Sequence, residues 1–321
     1  VAFYDIFNGD ADGICALHQL RLAEPREAIL VTGVKRDVGL LARVAPRPGD
    51  VLTVLDISLE ENRAALVRAL EAGATCLYFD HHHSGELPRH PHLEAHIDTA
   101  PGACTSLLVD RHLHGRHRAW AVVAAFGDNL FDSAHRAAKP LGLSENALTK
   151  LRELGEAINY NAYGETVEDL HFHPAELYRR LSRYVDPFEF IAQDSAFEQL
   201  RRGYAEDMAK ALAVKPALRA PAGVVYVLPD AAWARRVCGA FANHLARAYP
   251  ERAHAVLVAA ASGGGYVVSV RAPAMNPVGA DRLCRQFDTG GGRQAAAGIH
   301  RLPAAMLETF AQKFQETFNG L

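Results

Sequence analysis

Apolar positions in the first half of the chain form short runs separated by helical repeats. The runs cover residues 1–7 (VAFYDIF), 28–34 (AILVTGV), 51–55 (VLTVL) and 74–79 (ATCLYF). Each is rich in β-branched or aromatic residues and bounded by turn formers, the pattern of a strand covered on both faces. Between them, residues 14–22 and 60–71 carry apolar side chains at helical spacing, the second behind Ser58 as N-cap. Strand, helix, strand, helix predicts an α/β domain with a mostly parallel sheet and helices on both faces. Residues 102–112 and the Ala-rich stretch 119–126 read as helices. From 143 to 214 the pattern is helical with breaks at Pro174 and Pro187, and residues 189–214 read as one long connecting helix.

Lys215-Pro216 and Ala220-Pro221 mark a linker, after which a second α/β pattern begins. Strands are predicted at 224–228, 255–259 and 266–271, the last two joined by Ser262-Gly263-Gly264-Gly265, and helices at 231–249 and 280–286. The expected organisation is a domain at 1–188, a connecting helix and linker at 189–219, and a smaller α/β domain at 220–321. Residues 289–298, TGGGRQAAAG, read as three glycines leading into an Ala-rich helix start. Exposed backbone N–H groups of Gly291 and Gly292 at a positive helix end would bind an anion, with Arg271 and Arg293 adding bidentate contacts.

Composition narrows the function without naming it. The chain has 321 residues, 49% apolar and 22% charged, with net charge −3. That charge argues against coating long nucleic acid by electrostatics alone. Five scattered Cys without a Cys-x-x-Cys pair predict reduced thiols. No signal peptide or 18-residue apolar run is evident, so a soluble, cytoplasmic protein without membrane attachment is expected.

The chemistry gathers where the predicted strands end. Asp10 and Asp12 follow the first, Asp56 the third, and Asp80-His81-His82 the fourth; Asp128, with Asp132 as its rival, follows helix 119–126. In open α/β sheets ligands bind at the carboxyl ends of the strands. Carboxylates converging there are unfavourable unless a cation neutralises them. Asp10, Asp12, Asp56, Asp128 and His81 make a hard oxygen and nitrogen set that suits Mn²⁺ first and Mg²⁺ second. Two ions sharing Asp56 would activate a water and clamp a phosphate. His82 is then placed to contact a phosphoryl oxygen or protonate the leaving oxygen, with Asp56 and His82 the catalytic pair. His83 reads as a bystander, and His90, His92 and His96 as solvent-facing residues of a connecting loop. Neither a Gly-x-Ser-x-Gly elbow, a P-loop nor a Gly-x-Gly-x-x-Gly turn is found.

NGDADG, VLDIS, FDHHHS and FGDN, in this order, resemble the four motifs of the DHH phosphoesterases, and GGGRQAAAG resembles the glycine motif of the DHHA1 domain that follows them in RecJ-type exonucleases and nanoRNases. The resemblance spans almost the whole chain. It implies two Mn²⁺ in a cleft between the domains, one held by Asp10 and Asp56, the other by Asp12, Asp56, His81 and Asp128. Two positions depart from the pattern. Many members carry a His four residues before the first Asp, where this chain has Ile6; Asn8 could supply a weaker oxygen ligand instead. The usual GGGH reads GGGR, so Arg293 replaces an imidazole.

The resemblance implies a metal-dependent phosphoesterase, cleaving phosphodiesters or phosphomonoesters of short oligonucleotides, linear dinucleotides or 3′-phosphoadenosine 5′-phosphate. Pyrophosphate ranks lower, because pyrophosphatases of the wider family lack the glycine motif. A non-catalytic nucleotide- or nucleic-acid-binding module and a cyclic-dinucleotide phosphodiesterase are the alternatives. The oligomeric state, including a homodimer, is left open.

Overall fold

The computed structural model describes residues 1–261 and 263–319, so Ser262 of the predicted glycine link lies outside the described residues. The chain divides into two compact units, Val1–Arg202 and Gly203–Leu321.

The first unit is built on five parallel strands, β1 (Phe3–Phe7), β2 (Ile29–Val31), β3 (Val51–Leu55), β4 (Thr75–Asp80) and β5 (Leu93–Ile97), in the order β2-β1-β3-β4-β5. Its helices are α1 (Ala11–Ala23), α2 (Leu59–Glu71), α3 (Thr105–His112), α4 (Arg118–Gly127), α5 (Phe131–Ala138), α6 (Glu145–Ala162), α7 (Pro174–Leu181) and α8 (Pro187–Gln193). Successive strand residues face opposite sides of a sheet. Phe7, Leu55 and Phe79 therefore join the core formed with α1, α3 and α4, while Ile6, Val54 and Tyr78 join the core under α2. Both faces are covered, as the continuous apolar runs predict. Helix α4 is buried from Trp120 to Gly127, and a Cβ at Gly155 of α6 would run into the Val123 carbonyl. That glycine lets α6 approach α4 closely.

The chain leaves β1, forms β2 on one side, then crosses to β3 on the other. A reversal of this kind opens a crevice at the carboxyl ends of the strands. Two details differ from the sequence reading. His96 lies on the edge strand β5, not in a loop, because Leu93–Ile97 adds to β4 in parallel register. The long helix expected at 189–214 breaks at Asp194, which ends α8 and accepts the Ala196 N–H at 2.8 Å as α9 (Ser195–Ala213) begins.

The second unit holds a mixed six-stranded sheet of β6 (Leu218–Ala220), β7 (Gly223–Leu228), β8 (Ala253–Ala259), β9 (Gly265–Arg271), β10 (Gly290–Gly292) and β11 (Ala296–Pro303), ordered β10-β11-β9-β8-β7-β6. Among the described residues of this sheet, only β7 and β8 pair in parallel. Helices α10 (Ala232–Ala248), α11 (Ala280–Cys284) and α12 (Leu307–Phe318) pack on it. Phe310, Phe314 and Phe318, spaced by one helical turn, carry α12 into the core. The glycine run corrects the sequence reading: residues 290–303 form an antiparallel hairpin, with no helix start after the glycines. None of the five cysteines forms a disulfide, and no helix among the described residues is long and apolar enough to cross a membrane.

Candidate metal centre

The site is assembled from the first residues beyond β1, β3 and β4. Asp10 is the N-cap of α1: one carboxylate oxygen accepts the N–H groups of Asp12 and Gly13 at 3.0 and 3.1 Å. Gly13 is required here, since a Cβ would strike the Asn8 carbonyl. Asp12 then falls in the first turn of α1 and is fully buried. Its two oxygens accept the Thr105 and Ser106 N–H groups at 2.6 and 2.7 Å, tying α1 to the start of α3. Asp56, just past β3, adopts φ of 59°, a strained conformation for a side chain other than Gly. Its Oδ1 accepts from the Thr105 hydroxyl at 3.1 Å. Asp128 caps the end of α4, and its rival Asp132 is exposed.

These groups converge on one imidazole nitrogen. His81 Nε2 lies 3.4 Å from Asp56 Oδ1, 3.8 Å from Asp128 Oδ2 and 3.9 Å from Asp12 Oδ2. Two of the separations exceed a hydrogen bond outright, and the third is long for one. Ligands held at roughly 2.0–2.2 Å from a common ion stand about 3 Å or more apart. Donor atoms of Asp12, His81 and Asp128 all lie within 4.8 Å of one another, and so do those of Asp56, His81 and His82. The hard donors fit one divalent cation of the Mn²⁺ or Mg²⁺ kind.

Burial and mutual repulsion shape the carboxylates. Burial, then the charges of Asp12, Asp10 and Asp128, push Asp56 well above the ordinary carboxylate range. Burial raises Asp128 too, against the pull of Lys35. For Asp10 the opposing Lys35 charge and hydrogen bond outweigh burial and hold the carboxyl down.

Lys35 is the residue that sequence reasoning missed. Its ammonium bonds the second oxygen of Asp10, and reaches Asp128 Oδ1 and Asn159 Oδ1, each at 3.2 Å. Asp80, the first residue of its motif, is given no role by the sequence reading. Fully buried at the end of β4, its Oδ1 accepts from His82 Nδ1 at 2.7 Å. Burial alone would lower His82, but the Asp80 hydrogen bond and charge raise it above an ordinary imidazole.

Other expected site residues fall elsewhere. Asn8 Oδ1 accepts the Asp10 N–H and Asn8 Nδ2 donates to the Lys35 carbonyl, so its amide braces two loops. Ile6 is buried in the apolar cluster under α2 and offers no ligand. His83 is exposed, 3.8 Å from Glu60. In the second unit Arg271 donates to Asn243 Oδ1 at 2.7 Å, and Arg293 is exposed at the turn between β10 and β11. Gly292 has φ of 134° and faces Ala297 too closely for a Cβ, whereas the Cβ position at Gly291 meets nothing within 4 Å.

No family model matches the chain, and no curated protein matches it in sequence. Solved structures do match in fold. A manganese-bound RecJ exonuclease aligns over 100% of this chain and 90% of its own, with TM-score 0.64 and 16% identity. RecJ with Mn²⁺ from Thermus thermophilus gives TM-score 0.64 and 18% identity, with this chain spanning about half (52%) of its length. The pGpG-specific phosphodiesterase PggH from Vibrio cholerae gives TM-score 0.55 and 13% identity over 99% of both chains. The chain shares the fold of these structures, and the order of its sequence motifs resembles that of the DHH/DHHA1 phosphoesterases.

Proposed function

We propose that the chain is a divalent-metal-dependent phosphoesterase acting on short oligonucleotides or nucleotides. The observation that carries this reading is the single His81 nitrogen faced by three buried or half-buried carboxylates at 3.4–3.9 Å, at the carboxyl ends of parallel strands. A bound cation would lower the pKa of a coordinated water and offset charge on a phosphoryl group. Asp12, Asp56, His81 and Asp128 would hold it, with Mn²⁺ suiting the donors best. Thr105 and Ser106 fix the Asp12 and Asp56 carboxylates before substrate arrives, so little reorganisation is left for the reaction. Asp80 holds His82 through Nδ1 and leaves Nε2 free to face substrate. An imidazole raised by that contact is a suitable acid for the departing oxygen. In the second unit Gly291, Gly292, Arg293 and Arg271 are proposed to bind phosphate. The open space at Gly291 leaves room for a ligand against its backbone.

RecJ, an exonuclease, and PggH, a pGpG-specific phosphodiesterase, support the class. The test is a panel of short RNA, a linear dinucleotide, a cyclic dinucleotide, 3′-phosphoadenosine 5′-phosphate and pyrophosphate, with Mn²⁺ or Mg²⁺. Product from a short linear substrate, abolished by chelator, is expected. No product from any phosphate ester with either metal sinks the proposal and leaves the non-catalytic binding module.

A further inference from the structure

We infer that the Lys35 ammonium stands in the place of one of the two cations that the motif pattern implies, so that this centre takes a single divalent ion. The inference rests on the metal-dependent reading above and refines it.

An ammonium has three donors. Lys35 Nζ meets three acceptors: the second oxygen of Asp10, Asp128 Oδ1 and Asn159 Oδ1. It also lies 5.7 Å from the centre of the Tyr163 ring, within range of a cation–π contact. The residue is fixed at its backbone on both sides. Its N–H donates to the Ala162 carbonyl at 2.9 Å, and its carbonyl accepts from Asn8 Nδ2 at 3.2 Å. Lysines on a surface lose rotamer freedom when held in one geometry; here the anchored loop, α6 and the carboxylates together define one position.

The carboxylates divide between the two positive centres. Asp10 has both oxygens engaged, one by the Asp12 and Gly13 N–H groups and the other by the Lys35 cation, whereas each Asp12 oxygen accepts one neutral N–H and keeps a lone pair. Among the described residues, neither donor cluster around His81 includes Asp10. Asp128 bridges the two centres, with Oδ1 on Lys35 and Oδ2 facing His81. The His expected four residues before Asp10 is Ile6, packed with Leu40, Val54 and Tyr78 under α2. That position has Ile where an imidazole is expected, and its Asp10 is engaged by Lys35, with Asp56 beside it. The position has kept the positive charge that the clustered acids need. A fixed ammonium supplies that charge as a point, at any metal concentration.

Metal stoichiometry decides the matter. The chelator-stripped full chain is titrated with Mn²⁺ in a calorimeter and by native mass spectrometry, and the saturated protein is examined by electron paramagnetic resonance. One ion per chain is expected, with the resolved hyperfine pattern of an isolated Mn²⁺. Lys35→Met, which keeps the side-chain length and removes the charge, is expected to take up a second ion. Two ions in the wild type, or the broadened spectrum of a spin-coupled pair, would overturn the inference while leaving the phosphoesterase reading intact. One ion in both wild type and Lys35→Met would overturn the substitution of lysine for metal. No ion in the wild type would bring down the phosphoesterase reading itself. The wild-type spectrum and stoichiometry stand even if Lys35→Met does not fold.

Discussion

The first unit contains two clusters of imidazole and carboxylate, and they could hardly be more different in kind. One is Asp12, Asp56, His81 and Asp128, on the loops and helix ends beyond the central strands. The other is Glu94, His96 and His112, where the edge strand β5 meets the end of α3, beside a cleft of about 400 Å³ that His96, Asp98, Arg111 and His112 line. Both bring three donor atoms within 4.8 Å. At the edge the donors satisfy each other: His96 Nε2 and Glu94 Oε1 are 2.8 Å apart, and the Glu94 side chain is 64% exposed. His96 lies flat on Phe79 at 4.4 Å, with His112 edge-on to both rings. Those imidazoles pack as aromatic surface. At the strand ends the donors hold apart, each carboxylate pinned from behind by Thr105, Ser106 or Lys35. Proximity of ligand atoms is common to both clusters; a gap kept open by fixed outer partners belongs to one.

The largest expected effect tests that contrast directly. Asp56→Asn removes a charge from the gap while keeping an acceptor for Thr105. Transition-state stabilisation by a metal is worth several kcal/mol, so hydrolysis of a short substrate should fall by about 10³-fold or more. His96→Ala should change it less than about twofold. A comparable loss in His96→Ala, measured as kcat/KM at saturating Mn²⁺, would erase the distinction between the clusters.

The strand-end cluster was legible in the sequence because its signals are local. An apolar run followed at once by an acid is visible at Asp56, and parallel βαβ units carry such tips to one edge of a sheet. Lys35 was not legible, since its partners lie 25, 93 and 124 positions away and a single lysine after a strand reads as a solvated end. Asp80 sat at the head of the most conspicuous motif, yet nothing in one sequence says that its carboxylate serves His82. The glycine hairpin was misread because Ala favours helices in isolation. In the fold, small residues at 297 and 298 are needed where β11 lies close to β10 and β9, with Gly292 against Ala297 and Gly298 against the Val268 carbonyl. Tertiary packing overrode propensity there. The edge strand β5 has only five residues, set among His and Pro, too short a run to stand out.

Acid gives the next effect in size, through an imidazole buried with no carboxylate beside it. His18 is packed edge-on against Trp120 at 4.7 Å and bonds the Tyr184 carbonyl at 2.8 Å. Burial lowers its pKa to about 4, the backbone hydrogen bond only partly opposing this. The unfolded chain, with an ordinary imidazole near 6.5, therefore binds the proton more tightly than the native one. The stability is complete above pH 6.5 and is lost as pH falls toward 4, by about 3 kcal/mol in all. The raised Asp56, Asp128 and His82 act in the opposite sense, so the decline is read as the His18 part of the pH slope in urea unfolding, present in wild type and in His96→Ala alike. His18→Gln should flatten it; an unchanged slope in that variant would place the acid sensitivity elsewhere.

The smallest effects separate a pinned carboxylate from a free one without any metal. In chelator, Asp12→Ala strips two buried N–H groups, those of Thr105 and Ser106, of their acceptors. A buried donor left unsatisfied costs about 1–3 kcal/mol, and more when its partner was charged. Relief of repulsion with Asp56 offsets part of that, because among neighbouring charges Asp12 raises Asp56 the most. The net expectation is a loss of roughly 2 kcal/mol by urea unfolding. Glu94→Ala removes only an exposed contact to His96 and should fall within about 0.5 kcal/mol of wild type. Should Glu94→Ala cost as much as Asp12→Ala in chelator, the edge cluster would have to be holding β5 to the sheet, and its imidazoles would no longer be explained by stacking on Phe79 alone.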